Sequence, residues 1–169
     1  MALSNKVGKM VVTTGNKSEV SVGYSTLYGD MNGGYNPIKD IYKTEVYELS
    51  KWRNSSKASN CLGPLGEVIP FSIIEKEPTA ALREDQKDQD SLPPYDKLDD
   101  ILESLIDYEM SISEIVKRGH DKSLVKKIEN LLYVSEYKRR QSAPGVKVSQ
   151  KNFGRDRRYP ITNLFRDKN

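Results

Sequence analysis

Between Leu98 and Arg139, apolar side chains recur in three helical periods joined by very short connections. That spacing is the tightest constraint on what this chain can become. Leu98, Ile101, Leu102, Leu105 and Ile106 fall at i, i+3, i+4, i+7 and i+8, an apolar stripe on one helix face with acids on the other. Ser111-x-x-Glu114 has the form of a capping box, in which a hydroxyl and a carboxylate satisfy each other's backbone N–H groups, and Gly119 closes this second helix. A third helix opens on an Asp121 cap and carries Leu124, Val125, Ile128, Leu131 and Leu132 towards Arg139. Links this short predict that the three helices pack on each other as a small cluster.

The amino-terminal half reads differently. Met10 to Thr14 is a short, β-branched run that stops at Gly15-Asn16, which predicts a strand covered on both faces, as in a parallel sheet flanked by helices. With Lys17-Ser18-Glu19 following, it has the form of a strand-loop-helix junction that presents backbone N–H groups to phosphate. Tyr24 to Pro37 is rich in Gly, Asn and Asp and predicts turns. Lys43 to Arg53 predicts a helix with Val46, Leu49 and Trp52 as its apolar stripe, and Asn54 to Gly66 a surface loop. Glu84 to Pro94 lacks any hydrophobic period and predicts a solvated loop. From Ser142 onward long regular elements are not expected, and Phe153, Tyr159, Ile161, Leu164 and Phe165 are the candidate anchors onto a core.

Charge is unevenly placed. Glu75 to Glu114 holds 13 acids against 4 bases, a net of −9, and Lys138 to Asn169 holds 10 bases against 2 acids, a net of +8. Such blocks can dock on each other, serve an anionic ligand or bind nucleic acid, and composition does not choose between them. Cys61 and His120 are the sole residues of their kinds, which excludes an intramolecular disulfide and a Cys/His metal centre. No apolar run approaches the roughly 20 residues of a membrane span, and MALSNKVGKM lacks the apolar stretch of a signal peptide, so a cytoplasmic protein is expected.

Specific strings then carry a resemblance. Thr13-Thr-Gly-Asn-Lys-Ser-Glu19, Gly23-Tyr-Ser-Thr-Leu-Tyr-Gly-Asp30, Lys39-Asp-Ile-Tyr-Lys-Thr-Glu-Val-Tyr47, Lys76-Glu-Pro-Thr-Ala-Ala-Leu82 and Asp85-Gln-Lys-Asp-Gln-Asp-Ser-Leu-Pro-Pro-Tyr-Asp96 resemble, in order, the synthetase part of the NAD synthetase family. Glu136-Tyr-Lys-Arg-Arg-Gln-Ser-Ala-Pro-Gly145 and Phe153-Gly-Arg-Asp-Arg-Arg-Tyr-Pro-Ile-Thr-Asn163 continue it and look like the glutamine-dependent branch. The resemblance implies an α/β fold: the carboxyl-terminal half of an ATP-pyrophosphatase (adenine nucleotide alpha hydrolase-like, Rossmann-like) parallel-sheet domain with a helical cluster. It also implies a ligase that adenylylates the nicotinate carboxylate of deamido-NAD with ATP and Mg²⁺, after which ammonia, free or from glutamine, displaces AMP.

The family's roles fall on matching residues. Thr14 resembles a threonine that contacts ATP, Lys43 a lysine that binds the ATP phosphates, and Thr79 a second ATP-contacting threonine. Glu19 resembles the acid beside Mg²⁺ and deamido-NAD, and Lys138 a late basic residue on deamido-NAD. No side chain is assigned a catalytic role. Taken alone, Thr14 reads as an ordinary strand-end threonine, Glu19 as an acid favoured by a helix N-terminus, Lys43 as a solvated surface charge, and Lys138 as a base at a helix C-terminus. The acidic stretch Glu84 to Asp90 resembles a mobile cover that would exclude water from the adenylate.

Two family features are absent from these 169 residues: the Ser-Gly-Gly-x-Asp-Ser phosphate loop and the nitrilase-like glutaminase domain. Met1 to Lys6 resembles the interior of the family's sequence. Residues 1–169 are therefore expected to be a partial ligase domain with an open sheet edge, working as a homo-oligomer or with a complementary amino-terminal half. A catalytically incomplete binding or assembly module is the alternative. Nucleic acid and membrane are not expected partners, because the tail's arginines fall within the synthetase-like string.

Overall fold

The computed structural model describes residues 1–56, 60–76, 78–79, 88 and 91–166. Eight helices run through these in chain order: α1 (Ala2–Val7), α2 (Lys17–Val22), α3 (Lys43–Ser55), α4 (Phe71–Glu75), α5 (Tyr95–Ile106), α6 (Ile112–Lys117), α7 (Lys122–Val134) and α8 (Glu136–Arg139).

α5 is the axis of the core. Leu98, Ile101, Leu102 and Ile106 are fully buried there, in one cluster with Ile112 and Ile115 of α6 and Val125, Ile128 and Leu132 of α7. Each such side chain contributes roughly 1.5–3 kcal/mol by leaving water. The expected caps set the short connections. Ser111 Oγ accepts from Glu114 N while Glu114 Oε2 accepts from Ser111 N at 2.8 Å, and Asp121 Oδ1 accepts from Leu124 N at 2.9 Å. α2 packs into this cluster against both α5 and α7, and α3 lies on α5.

Four expectations need correction. The segment expected to be a strand covered on both faces makes one isolated parallel bridge, Val12 to Tyr35, with Thr13 N donating to Tyr35 O and Gly34 N to Val11 O, each at 2.9 Å. Among the described residues this segment pairs on one side only, and a strand of a buried parallel sheet would have both faces covered, whereas Met10 and Val12 stay exposed. The Leu49–Trp52 stripe of α3 does not reach the core and lines an open groove with Ile41 and Val148. The third helix stops at Val134, and a buried Ser135 separates it from α8. In the tail, Phe153 and Tyr159 are buried as anchors, while Ile161, Leu164 and Phe165 are exposed.

Polar contacts hold the tail instead. Asp40, itself buried, accepts from Val148 N and Ser149 N at 2.7 Å each. Arg157 donates to Glu109 and to Leu105 O, and the buried Arg139 guanidinium lies 4.7 Å from the Phe153 ring centroid. Further bases of the +8 block are matched by acids: Lys147 by Asp156, Lys151 by Glu109 and Arg140 by Glu136.

Candidate functional site

The site grows from the facing first turns of α2 and α3. Asn16 caps α2: its side chain accepts from Glu19 N at 3.0 Å, and Glu19 Oε2 accepts from Asn16 N at 3.2 Å. That reciprocal bond fixes one carboxylate oxygen and turns the other, Oε1, towards Lys43 Nζ at 3.4 Å. The two helix starts are pinned to each other from below. Ser18 Oγ donates to Asp99 Oδ1 of α5 and accepts from Lys43 N, and Asp99 Oδ2 accepts from both Thr44 N and Thr44 Oγ1.

The Glu19–Lys43 pair stands between two clefts. The first, about 200 Å³, is lined by Thr14, Glu19, Lys43 and Lys138 together with Asp30 and Arg139. The second, about 320 Å³, shares Glu19 and Lys43 and adds Lys76, Thr79 and Asp88 against an apolar wall that includes Ile69 and Ile73. Four of the five residues singled out in the sequence thus meet at the first cleft, and Thr79 joins Glu19 and Lys43 at the second. Lys43 Nζ lies 5.5 Å from the Tyr95 ring centroid and 5.8 Å from that of Tyr47, so aromatic faces as well as Glu19 stabilise its charge. Lys138 Nζ donates to Gly23 O and Ser25 O, both at 2.7 Å, and so ties the C-terminal end of α2 and the following loop to the cleft wall. That contact is the dipole-type role its helix-terminal position allowed, though the helix it serves is α2 and not its own.

Burial pushes the Glu19 carboxyl above its ordinary value against the pull of the Lys43 charge. Asp99 is likewise raised by burial, opposed by the hydrogen bonds from Ser18 and Thr44. Among the described residues no three His, Cys, Asp or Glu side chains group closely enough to cage a metal. The acidic cover expected over Glu84 to Asp90 lies outside the described residues except for Asp88, which is buried. Cys61 and His120 line neither cleft, and His120 Nε2 pairs with Asp100 at 2.5 Å.

Residues that organise the site went unread in the sequence. Asp99 carried a signal: it sits at i+4 from Tyr95 and i−3 from Leu102, an acid on the buried stripe of an amphipathic helix. Lys17 carried none. It is completely buried, paired with Asp107 at 3.1 Å and Asp40 at 3.5 Å, and donates to Ser149 Oγ and Lys151 O. These partners are supplied from distant parts of the chain.

Among known proteins, the family model described as NAD synthase matches residues 1–142. The glutamine-dependent NAD(+) synthetase of Rhodobacter capsulatus is 57% identical over 168 residues, covering 99% of this chain and 30% of that protein. That of Xanthomonas campestris pv. campestris (strain 8004) is 55% identical over 165 residues, covering 98% and 29%. The chain therefore spans about three-tenths of the length of these curated relatives. The crystal structure of a glutamine-dependent NAD(+) synthetase from Cytophaga hutchinsonii superposes with a TM-score of 0.69 at 23% identity, covering 96% of this chain and 26% of that one, which establishes a shared fold.

Proposed function

The chain belongs to the NAD synthase family, and from that premise we propose that residues 1–169 are the carboxyl-terminal part of a ligase domain that amidates deamido-NAD to NAD at the expense of ATP. In this reaction a nicotinate carboxylate oxygen attacks the α-phosphorus of ATP and pyrophosphate leaves. Ammonia then attacks the activated carbonyl carbon and AMP leaves. The observation that carries the reading is the convergence of Thr14, Glu19, Lys43 and Lys138 on one cleft, with Thr79 across the shared Glu19–Lys43 wall.

Each side chain has a task that its surroundings fit. Lys43, half-buried over two aromatic rings, offers a partly desolvated positive charge to the phosphates, worth more there than in open water. Thr14 and Thr79 supply hydroxyls on either side of it. Lys138 holds the loop at 23–25 as a wall for deamido-NAD. The donor set fits Mg²⁺ carried on nucleotide phosphates with one protein carboxylate, Glu19, because Mg²⁺ sites commonly use one or two carboxylates plus substrate oxygens. Magnesium bound there would neutralise phosphate charge. Glu19 would offer Oε1 to it, since Oε2 is held by Asn16 N.

Calorimetric titration of ATP and deamido-NAD into the chain tests this. Binding that Lys43→Ala and Glu19→Ala both weaken supports it; no heat with either ligand refutes it. A second reading, an assembly module without turnover of its own, rests on the absence of a Ser-Gly-Gly-x-Asp-Ser string from residues 1–169, since such a loop would supply phosphate-binding N–H groups. Mixing with a separately produced amino-terminal part separates the two: restored NAD formation supports the split ligase, and association without turnover the module. Among the described residues no helix is long and apolar enough to cross a membrane.

A further inference from the structure

We propose that Tyr95 and Asp88 form a latch that sets the position of Lys43 and Thr79 across the second cleft. Tyr95 is the first residue of α5 and is 7% exposed, so its ring is fixed to the most rigid part of the core. Its hydroxyl donates to Asp88 Oδ2 at 2.7 Å. Asp88 N in turn donates to Pro78 O at 3.0 Å, which holds the residue immediately before Thr79. The same Tyr95 ring lies 5.5 Å from Lys43 Nζ. One side chain of the core helix is therefore bonded to Asp88 and adjacent to Lys43, both of which line the second cleft.

Stability alone is a poor reason for this arrangement. Asp88 is 3% exposed, yet its Oδ1 has no hydrogen-bond partner among the described residues. Leaving one oxygen of a buried carboxylate unpartnered costs stability, so the bond from Tyr95 offsets only part of the cost of burying Asp88. Burial first, and then the bond to Asp88, raise the Tyr95 hydroxyl far above its ordinary range, so it remains a donor at every physiological pH. Tyr95 and Asp88 are positioning residues: they act through Lys43 and Thr79 and need not touch the ligand.

The latch rests on the ATP reading above for its ligand, but not for its geometry, and the test keeps the two apart. Tyr95→Phe keeps the ring under Lys43 and removes only the hydroxyl. Asp88→Asn keeps an acceptor for that hydroxyl, and Tyr108→Phe serves as an exposed control. In the ligand-free full chain, amide NMR resonances of both Thr79 and Lys43 should move in Tyr95→Phe and return close to wild type in Asp88→Asn. With ATP as the probe, Tyr95→Phe should raise Kd about tenfold, the scale of one buried hydrogen bond to a charged group, while Asp88→Asn stays within about twofold. Unmoved Thr79 and Lys43 resonances, or wild-type ATP affinity in Tyr95→Phe, overturn the latch. Should wild type bind no ATP, the functional reading falls and the resonances alone decide the latch. Should Tyr95→Phe fail to fold, Asp88→Ala is read against the same outcomes.

Discussion

Lys17→Met probes the hub on which the tail is fastened. The lysine side chain is 0% exposed; its ammonium lies 3.1 Å from Asp107, 3.5 Å from Asp40 and 4.7 Å from the Tyr42 ring centroid. Methionine matches its length closely enough to fill the space, so the change removes charge and hydrogen bonds with little cavity. Removing one partner of a buried ion pair typically costs about 3–5 kcal/mol, because the other charge is left uncompensated. Here two acids lose it, but neither is stranded. Asp40 keeps Val148 N and Ser149 N at 2.7 Å each, and Asp107 keeps the Tyr42 hydroxyl at 2.8 Å. The expected loss is therefore near the lower end, about 3 kcal/mol. At about 2–4 °C per kcal/mol for a chain of this size, Tm should fall by about 6–12 °C. Denaturant and thermal unfolding measure both numbers. A double-mutant cycle with Asp107→Asn should give a coupling of about 0.5–3 kcal/mol. Hydrogen exchange should quicken at Ser149 and Lys151, whose backbone is tied to the same cluster. A loss under about 1 kcal/mol together with additive single changes would refute the role of Lys17 as the fastening point.

Asp99→Asn tests the site's electrostatics. Because burial raises the folded-state pKa of Asp99 above its ordinary 3.8, the native state binds the proton more tightly than the unfolded state. Its contribution to stability therefore falls as pH rises from 3.8 through the folded value and is lowest above it. The denaturation midpoint of Asp99→Asn should gain on wild type over that window and run parallel above it; a loss with rising pH contradicts the assignment. Gly23→Ala should cost about 1–3 kcal/mol by thermal unfolding, since φ is +68° and a Cβ would stand 2.4 Å from Ser135 Oγ. A neutral result would mean that α8 can move freely from α2. Asn16→Ala should cost about 1–2 kcal/mol by removing the α2 cap, with Asn16→Gly milder; equal losses for the two would place the effect elsewhere than the cap.

The helical cluster was legible because its signals are local. Periodicity in α5, the Ser111–Glu114 box and the Asp121 cap each need only residues within one or two turns of each other, and all three stand as expected. Four residues marked by the resemblance of contiguous strings, Thr14, Glu19, Lys43 and Lys138, line one cleft. The extended segment at Met10 to Thr14 misled because a β-branched run specifies extended backbone but cannot supply neighbours for a ladder. The Leu49–Trp52 stripe misled for a related reason: amphipathic spacing names a face without naming what covers it.

By itself the sequence determined the family, the three packed helices and the residue types around the clefts, since these follow from local periodicity, caps and contiguous strings. Only the tertiary structure decided that the Glu19–Lys43 pair divides two clefts, that Asp99 binds two helix starts together, and that Lys17 fastens a tail some 130 residues away. Those are buried polar contacts between distant segments. Their energy comes from desolvation and pairing in three dimensions, which no window along the chain records.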